Sequence, residues 1–249
     1  MNHKILKKFC GLMGFRLIDK KFFKNNRIIS AYSFLTIKKV LSELFQQNKI
    51  NSIVQIGAND GVRFDDLNIF INKYKTQSLL VEPILSNFEK LKIKYAYSDF
   101  IKLENSAIVI NNEISFLYKV DKGYLKYYGD HIPGITSFSR NHLLKHGVKK
   151  KHIVKEKIKS ISIKELLNKY SIEDLDLLYM DTEGYDGKIV QDFLLNTTLK
   201  PIIIFEYIHV DNQILDNLLL MLKENDYRIF SLNENTICFP NSRNISINF

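Results

Sequence analysis

From residue 50 onward, short apolar runs alternate with stretches whose apolar positions recur every three or four residues. The first run, Ser52-Ile53-Val54-Gln55-Ile56, stops at Gly57. It is followed by Phe64, Leu67, Phe70, Ile71 and Tyr74 at helical spacing, which predicts strand, tight loop and helix. Ser78-Leu79-Leu80-Val81 predicts a second strand, and Asn87, Phe88, Leu91 and Tyr95 a second helix. Phe100 to Leu103 and Ala107 to Ile110 read as strand, leading to a turn at Asn111-Asn112 and a hairpin partner from Ile114 to Val120. Residues 121–152 carry Gly123, Gly129, Pro133, Gly134 and Gly147 with no period, and a basic run follows from Lys149 to Lys159. A lid or a disordered segment is the expectation there. Alternation then resumes with a helix from Ile163 to Tyr170, a strand from Leu175 to Met180 and a helix from Ile189 to Leu195. A strand from Pro201 to Tyr207, a helix from Leu215 to Leu222 and a closing strand pair, Tyr227 to Leu232 and Thr236 to Phe239, complete the chain. The fold class is α/β, with a mostly parallel sheet and an antiparallel edge.

The chain of 249 residues suffices for one α/β core and is too short for two generous ones. The division expected is a basic N-terminal helical extension over residues 1–48 and an α/β domain over residues 49–249. The formal charge of +9 resides in the first 50 residues, which hold eleven Lys and Arg against Asp19 and Glu43. In that arm Ile5, Leu6, Phe9, Leu12, Met13 and Leu17 form a helical stripe beside Lys4, Lys7 and Lys8. Two readings stand: a helix lying on an anionic membrane, or a helix packed on the body with solvated lysines. No apolar stretch reaches the length of a spanning helix and no secretory signal pattern is present, so a cytoplasmic protein, at most peripheral to a membrane, is expected. Cys10 and Cys238 lie in separate patterns without metal-ligand spacing, and no metal ligands are assigned.

Chemistry is expected where strands end. Gly57 and Gly61 bracket the turn before the first helix, with Asn59 between them, where backbone amides and a helix N-terminus meet a ligand. Glu82 closes the second strand about twenty residues on, the place where open α/β sheets hold a carboxylate for a ribose diol. The Gly-x-x-x-Gly spacing lacks the dinucleotide fingerprint, which points to a nucleoside without a pyrophosphate. Leu177-Leu178-Tyr179-Met180 empties into Asp181, Glu183 and Asp186, and alternation places Asp181 and Glu183 on one side. Their candidate tasks are proton abstraction, orientation of an ammonium, or metal binding. Asp186 serves either the ligand or the cap of the next helix. The next strand exits through Glu206 and His209, and His209 is either a second base or a packing residue. His131 and the run from Gly134 to Ser139 are placed to close over substrate.

These residues carry a resemblance to the FkbM-type methyltransferases, S-adenosylmethionine-dependent enzymes with the seven-stranded methyltransferase version of the Rossmann sheet. It rests on Val54-Gln55-Ile56-Gly57-Ala58-Asn59-Asp60-Gly61, Val81-Glu82-Pro83, Thr136-Ser137-Phe138, and Met180 to Asp186 with Ile204-Phe205-Glu206. The resemblance implies S-adenosylmethionine as cofactor, its methionine portion held by Gln55, Gly57, Asn59 and Gly61. It further implies ribose at Glu82 and the adenine edge at Asn105, Ser106 and Ala107. Asp181, Glu183 and Glu206 would border donor and acceptor, with Ser137 and Glu206 on the substrate side. The family commonly has an acid where this chain has Gln55; an amide oxygen still accepts from an ammonium but loses the charge assistance.

The function expected is O-methylation of a hydroxyl on a sugar or glycan precursor, with Asp181 the first base candidate and His209 the second. A silent module binding a nucleoside ligand or an acidic partner is the rival from another class, and a nicotinamide oxidoreductase the rival enzyme. Nucleic acid is not an expected partner: the acid-rich exit at Asp181 lacks, Tyr185 apart, the aromatic that stacks on a flipped base.

Overall fold

The computed structural model describes residues 36–47, 50–62, 65–110, 115–129 and 132–243. The apolar stripe of the basic arm, Phe64 and His131 lie outside them. The first described helix, α1 (Ile37–Gln47), buries Val40, Leu41, Leu44 and Phe45. Strand β1 (Ser52–Ile56) follows, then α2 (Asp66–Tyr74), β2 (Gln77–Val81), α3 (Leu85–Lys94) and β3 (Ile101–Glu104). A short β4 (Ala107–Ile108) precedes β5 (Ser115–Val120), α4 (Arg140–Lys145), β6 (Ile153–Ile158) and β7 (Ser160–Ile161). The chain continues through α5 (Ile163–Lys169), β8 (Leu177–Met180), α6 (Asp186–Asn196), β9 (Ile202–Glu206), α7 (Asn212–Glu224), β10 (Tyr227–Leu232) and β11 (Asn235–Pro240).

Seven of these strands form one sheet in the order β10-β11-β9-β8-β1-β2-β3. The pairs β3/β2, β2/β1, β1/β8 and β8/β9 are parallel, while β11 runs antiparallel to both β9 and β10. The expected mostly parallel sheet with an antiparallel edge is therefore present. Its central strands are buried on both faces, which explains their near-continuous apolar sequence. On one face Val54, Ile56, Leu178, Met180, Ile203 and Phe205 meet Leu166 of α5, Phe193 of α6 and Leu218 of α7. Several helices start where a side chain serves a free amide. Asp65 caps α2 through the Asn68 amide at 3.0 Å, Asp211 caps α7, and Ser162 with Glu165 forms a capping box on α5. Helix α1 packs on α2 through Phe45, whose ring stands 5.3 Å from both Phe70 and Tyr74.

The expected hairpin between the 107–110 segment and Ile114 to Val120 does not form. Ala107–Ile108 pairs in parallel with Ser160–Ile161, and Ser115–Val120 pairs antiparallel with Ile153–Ile158. The lysine-rich stretch read as loop is thus partly a strand. Its end residues Ile153 and Ile158 are buried, and cross-strand neighbours absorb the lysine stems: Lys155 lies over the rings of Phe116 and Tyr118 at 5.8 and 5.4 Å. Between β5 and β6, three 3₁₀ turns and α4 close over a small core of Val120, Ile132, Ile135, Leu143, Val148 and Ile153. The described part of the aperiodic segment is an ordered cover, because its apolar residues find one another in space and not along the chain.

Candidate active site

The sheet's strand order reverses between β1 and β8, and the crevice beyond their carboxyl ends is where such sheets bind ligands. The β1 exit is fixed from both sides. Gly57 and Ala58 amides donate to the Val81 carbonyl at 2.9 and 3.0 Å, and the Asp181 amide donates to the Ile56 carbonyl at 3.1 Å. Gly57 has φ +86°, and a β-carbon there would lie 1.9 Å from the Asp181 carbonyl oxygen. Glycine is required at this position by backbone contact as well as by conformation.

Asn59, also left-handed at φ 51°, donates its amide to Glu82 Oε2 at 2.9 Å, and the Ile84 amide donates to Oε1 at 2.8 Å. Burial pushes the Glu82 carboxyl up to about 7 against the pull of these two amides. Each carboxylate oxygen keeps a lone pair for another donor.

A cavity of about 360 Å³ opens beyond these strand ends. Gln55, Gly57, Asn59, Glu82, Ser106, Asp181, Glu183 and His209, all named from sequence, line it. Three buried polar atoms among the lining residues, Gln55 Oε1, Asp65 Oδ2 and Ser106 Oγ, make no hydrogen bond of good geometry within the protein, although the Gln55 amide lies beside Asp65 and the Ser106 hydroxyl beside Glu104. Buried polar atoms are rarely left so. Asp65 was not foreseen. Burial raises its carboxyl above the ordinary range, with the Asn68 amide and then the Gln55 side-chain amide acting against that. Its sequence signal is the Asp65-Asp66 pair ahead of a helix, which reads as capping and conceals its place on the cavity wall.

Four predicted residues stand off the cavity wall. Gly61 faces α3, where a β-carbon would meet Leu91 Cδ1 at 2.7 Å, and its carbonyl accepts from the Asn68 and Lys94 side chains. Asn105 spends its side-chain amide on the carbonyls of Glu82 and Pro83, at 2.9 and 3.2 Å. Ser137 is buried and donates its hydroxyl to the Glu183 carbonyl at 3.1 Å, tying the cover to the loop after β8. Glu206 sits behind Asp181, its carboxyl raised by burial and then by Asp181 and Glu183.

The loop after β8 holds the acids. Asp186 is buried and accepts from the Thr182 hydroxyl at 2.8 Å and from the Thr182 and Gly184 amides. That network makes it the organiser of the turn. Glu183 takes φ 53°, and Gly184 follows at φ +99°, where a β-carbon would lie 2.8 Å from the His209 carbonyl oxygen. Asp181 opens onto the cavity, and partial enclosure, Asp186 and Glu183 hold its carboxyl above the usual range. Glu183 Oε2 lies 2.8 Å from His142 Nε2 and 3.9 Å from His209 Nε2. Burial and the facing His142 ring keep His209 below its ordinary value. With His146, these residues bring four potential ligand atoms within 4.8 Å of one another, the one such group among the described residues. His142 and His146 escaped notice because their four-residue spacing lies in a segment without an apolar period.

No helix among the described residues is long and apolar enough to cross a membrane. No curated protein matches the chain. Among solved structures, the O-methyltransferase TomG from Streptomyces achromogenes, in complex with S-adenosylmethionine, is similar at 12% identity, covering 82% of this chain and 78% of its own, with TM-score 0.47. An O-methyltransferase from Bacillus cereus in complex with S-adenosylhomocysteine is similar at 8% identity over 94% and 97% of the two chains, with TM-score 0.46. The family model of the methyltransferase FkbM domain matches residues 55–229, the stretch that holds every residue lining the cavity except Glu234, and the chain belongs to that family.

Proposed function

We propose that the protein transfers a methyl group from S-adenosylmethionine to a hydroxyl of a sugar or glycan precursor. The observation that carries this reading is the set of three buried atoms without a hydrogen bond of good geometry, on Gln55, Asp65 and Ser106, facing one cavity beside the Glu82 carboxylate. They match the polar groups of an adenosyl amino acid. Gln55 Oε1 and Asp65 Oδ2 would accept from its ammonium, Glu82 from the ribose diol, and Ser106 would meet the adenine edge. Asp65 returns the negative charge that Gln55 lacks, which weakens the case for a silent binding module. When bound, the cofactor supplies an electrophilic methyl group on a sulfonium.

The remaining task of the chain is alignment and proton removal. Asp181, open to the cavity beside Gly57, is the residue assigned to take the proton from the acceptor hydroxyl. Its raised carboxyl brings its basicity closer to neutral pH. Beyond it, Thr182, Glu183, His146 and Glu234 give the wall hydrogen-bonding groups suited to a polyhydroxyl acceptor, and Phe138 offers an apolar face. Incubation with methyl-labelled S-adenosylmethionine and a panel of nucleotide sugars and oligosaccharides tests the reading. Label is expected in an ether of a sugar hydroxyl; label only in a nitrogen or carbon acceptor would overturn it.

A further inference from the structure

The cover and the sheet edge converge on a cluster that methyl transfer does not by itself require. His142 lies in α4, and His146 is the residue that caps that helix. Both therefore belong to the segment between β5 and β6. Glu183 and His209 come from the loops after β8 and β9. Their rings and carboxylate crowd together: ring centroids are 4.6 Å apart for His142 and His146, 4.5 Å for His142 and His209, and 5.2 Å for His146 and His209. The ligand atoms lie within 4.8 Å of one another, so small side-chain rotations bring all four to about 2.0–2.2 Å from a common centre.

The setting resembles a built site. Glu183 adopts a left-handed backbone, φ 53°, unusual for a residue with a side chain, and Gly184 at φ +99° lets the loop approach the His209 carbonyl. The Ser137 hydroxyl bonds the Glu183 carbonyl and fixes that loop from the cover side. His142, itself buried, points Nε2 at Glu183 Oε2.

We propose that His142, His146, Glu183 and His209 bind one divalent transition-metal ion of the zinc class. Three imidazoles with one carboxylate suit zinc, cobalt or nickel, and disfavour magnesium and calcium, which take oxygen ligands. The ion clips the cover onto the sheet edge. Because His146, Glu183 and His209 also line the cavity, it stands where it can take an acceptor oxygen as a further ligand; this second role rests on the methyl-transfer reading. Such a role makes His209 a ligand and leaves Asp181 to receive the proton.

The test uses the full chain, freed of metal by a chelator and titrated with zinc and, separately, with cobalt. One equivalent of zinc is expected to bind, and cobalt is expected to develop visible absorption typical of nitrogen and oxygen ligation at low coordination number. His146→Ala, at a half-buried position, and Glu183→Gln are each expected to weaken zinc binding at least about tenfold. They should also alter the cobalt spectrum, with the circular dichroism of the folded chain retained. Absence of stoichiometric binding by the wild type, or equal binding by the folded variants, overturns the proposal. S-adenosylmethionine binding is measured on the same metal-free sample. Cofactor binding without metal binding removes the metal site and leaves the proposed function standing; metal binding without cofactor binding does the reverse.

Discussion

The backbone of Gly57 touches the backbone of Asp181: a β-carbon on the glycine would stand 1.9 Å from the aspartate carbonyl oxygen. The loop that would hold a cofactor and the strand end that would hold the base are therefore one packed unit. Gly57→Ala must push the two apart and also places a side chain at φ +86°. Loss of cofactor binding by at least about tenfold is expected, with destabilisation of about 1–3 kcal/mol in denaturant unfolding. Wild-type affinity in that variant would show that the contact does not shape the site.

Cofactor affinity is expected to depend on pH through Glu82. Its carboxyl ionises at about 7 in the folded chain against an ordinary 4.5, so the stability it contributes is full below about 4.5 and is lost as pH rises through about 7. A ribose diol donates to the ionised form and favours it. Affinity for S-adenosylhomocysteine should therefore fall about tenfold per pH unit below 7 and level off above it. In Glu82→Gln that slope should vanish along with much of the affinity. Calorimetric titrations from pH 5 to pH 8 check both, and an unchanged slope in the variant would assign the titration to another group.

Asp65→Asn separates the capping role from the ligand role. An Asn side chain still caps α2 through the Asn68 amide, so the melting temperature should move little. The negative charge beside Gln55 is lost, and cofactor affinity should fall about tenfold. The double variant Gln55→Glu with Asp65→Asn restores one charge and is expected to recover most of it. Equal affinities across the set would take Asp65 out of the site.

Asp181→Asn keeps the shape of the strand end and removes the proton acceptor. Turnover should drop by about 10²–10⁴ with cofactor affinity within a few-fold of wild type. Unchanged turnover would dismiss Asp181 as the base.

Helix α1 gives a prediction about stability alone. Phe45 is buried and stacked on Phe70 and Tyr74. Phe45→Ala should cost about 3–5 kcal/mol, which would show that residues 37–47 belong energetically to the α/β body. A loss under about 1 kcal/mol would assign this helix to the extension instead.

The sheet was legible because its central strands are almost continuously apolar and end abruptly, at Gly57, Glu82 and Asp181. Residues bearing on the cavity from those ends were found for the same reason. What escaped was non-local. The pairing of β5 with β6 joins residues far apart in the chain, from Val120↔Ile153 to Ser115↔Ile158, and Lys155 of β6 looked like loop until Phe116 and Tyr118 supplied a surface for its stem. Gly61 carried the same local signal as Gly57, and only the position of Leu91 shows that it serves packing against α3. His142 and His146 gain meaning only when Glu183 and His209, from two other loops, are brought to them.

The proposed function requires the cavity beside Gly57, Glu82 and Asp65 to hold an adenosyl amino acid. Isothermal titration of the purified chain with S-adenosylmethionine and, in parallel, with NAD tests it most directly. One-to-one binding of S-adenosylmethionine, none of NAD, and marked weakening in Glu82→Gln are expected. Heat from NAD alone, or a flat S-adenosylmethionine titration of folded protein, would contradict it.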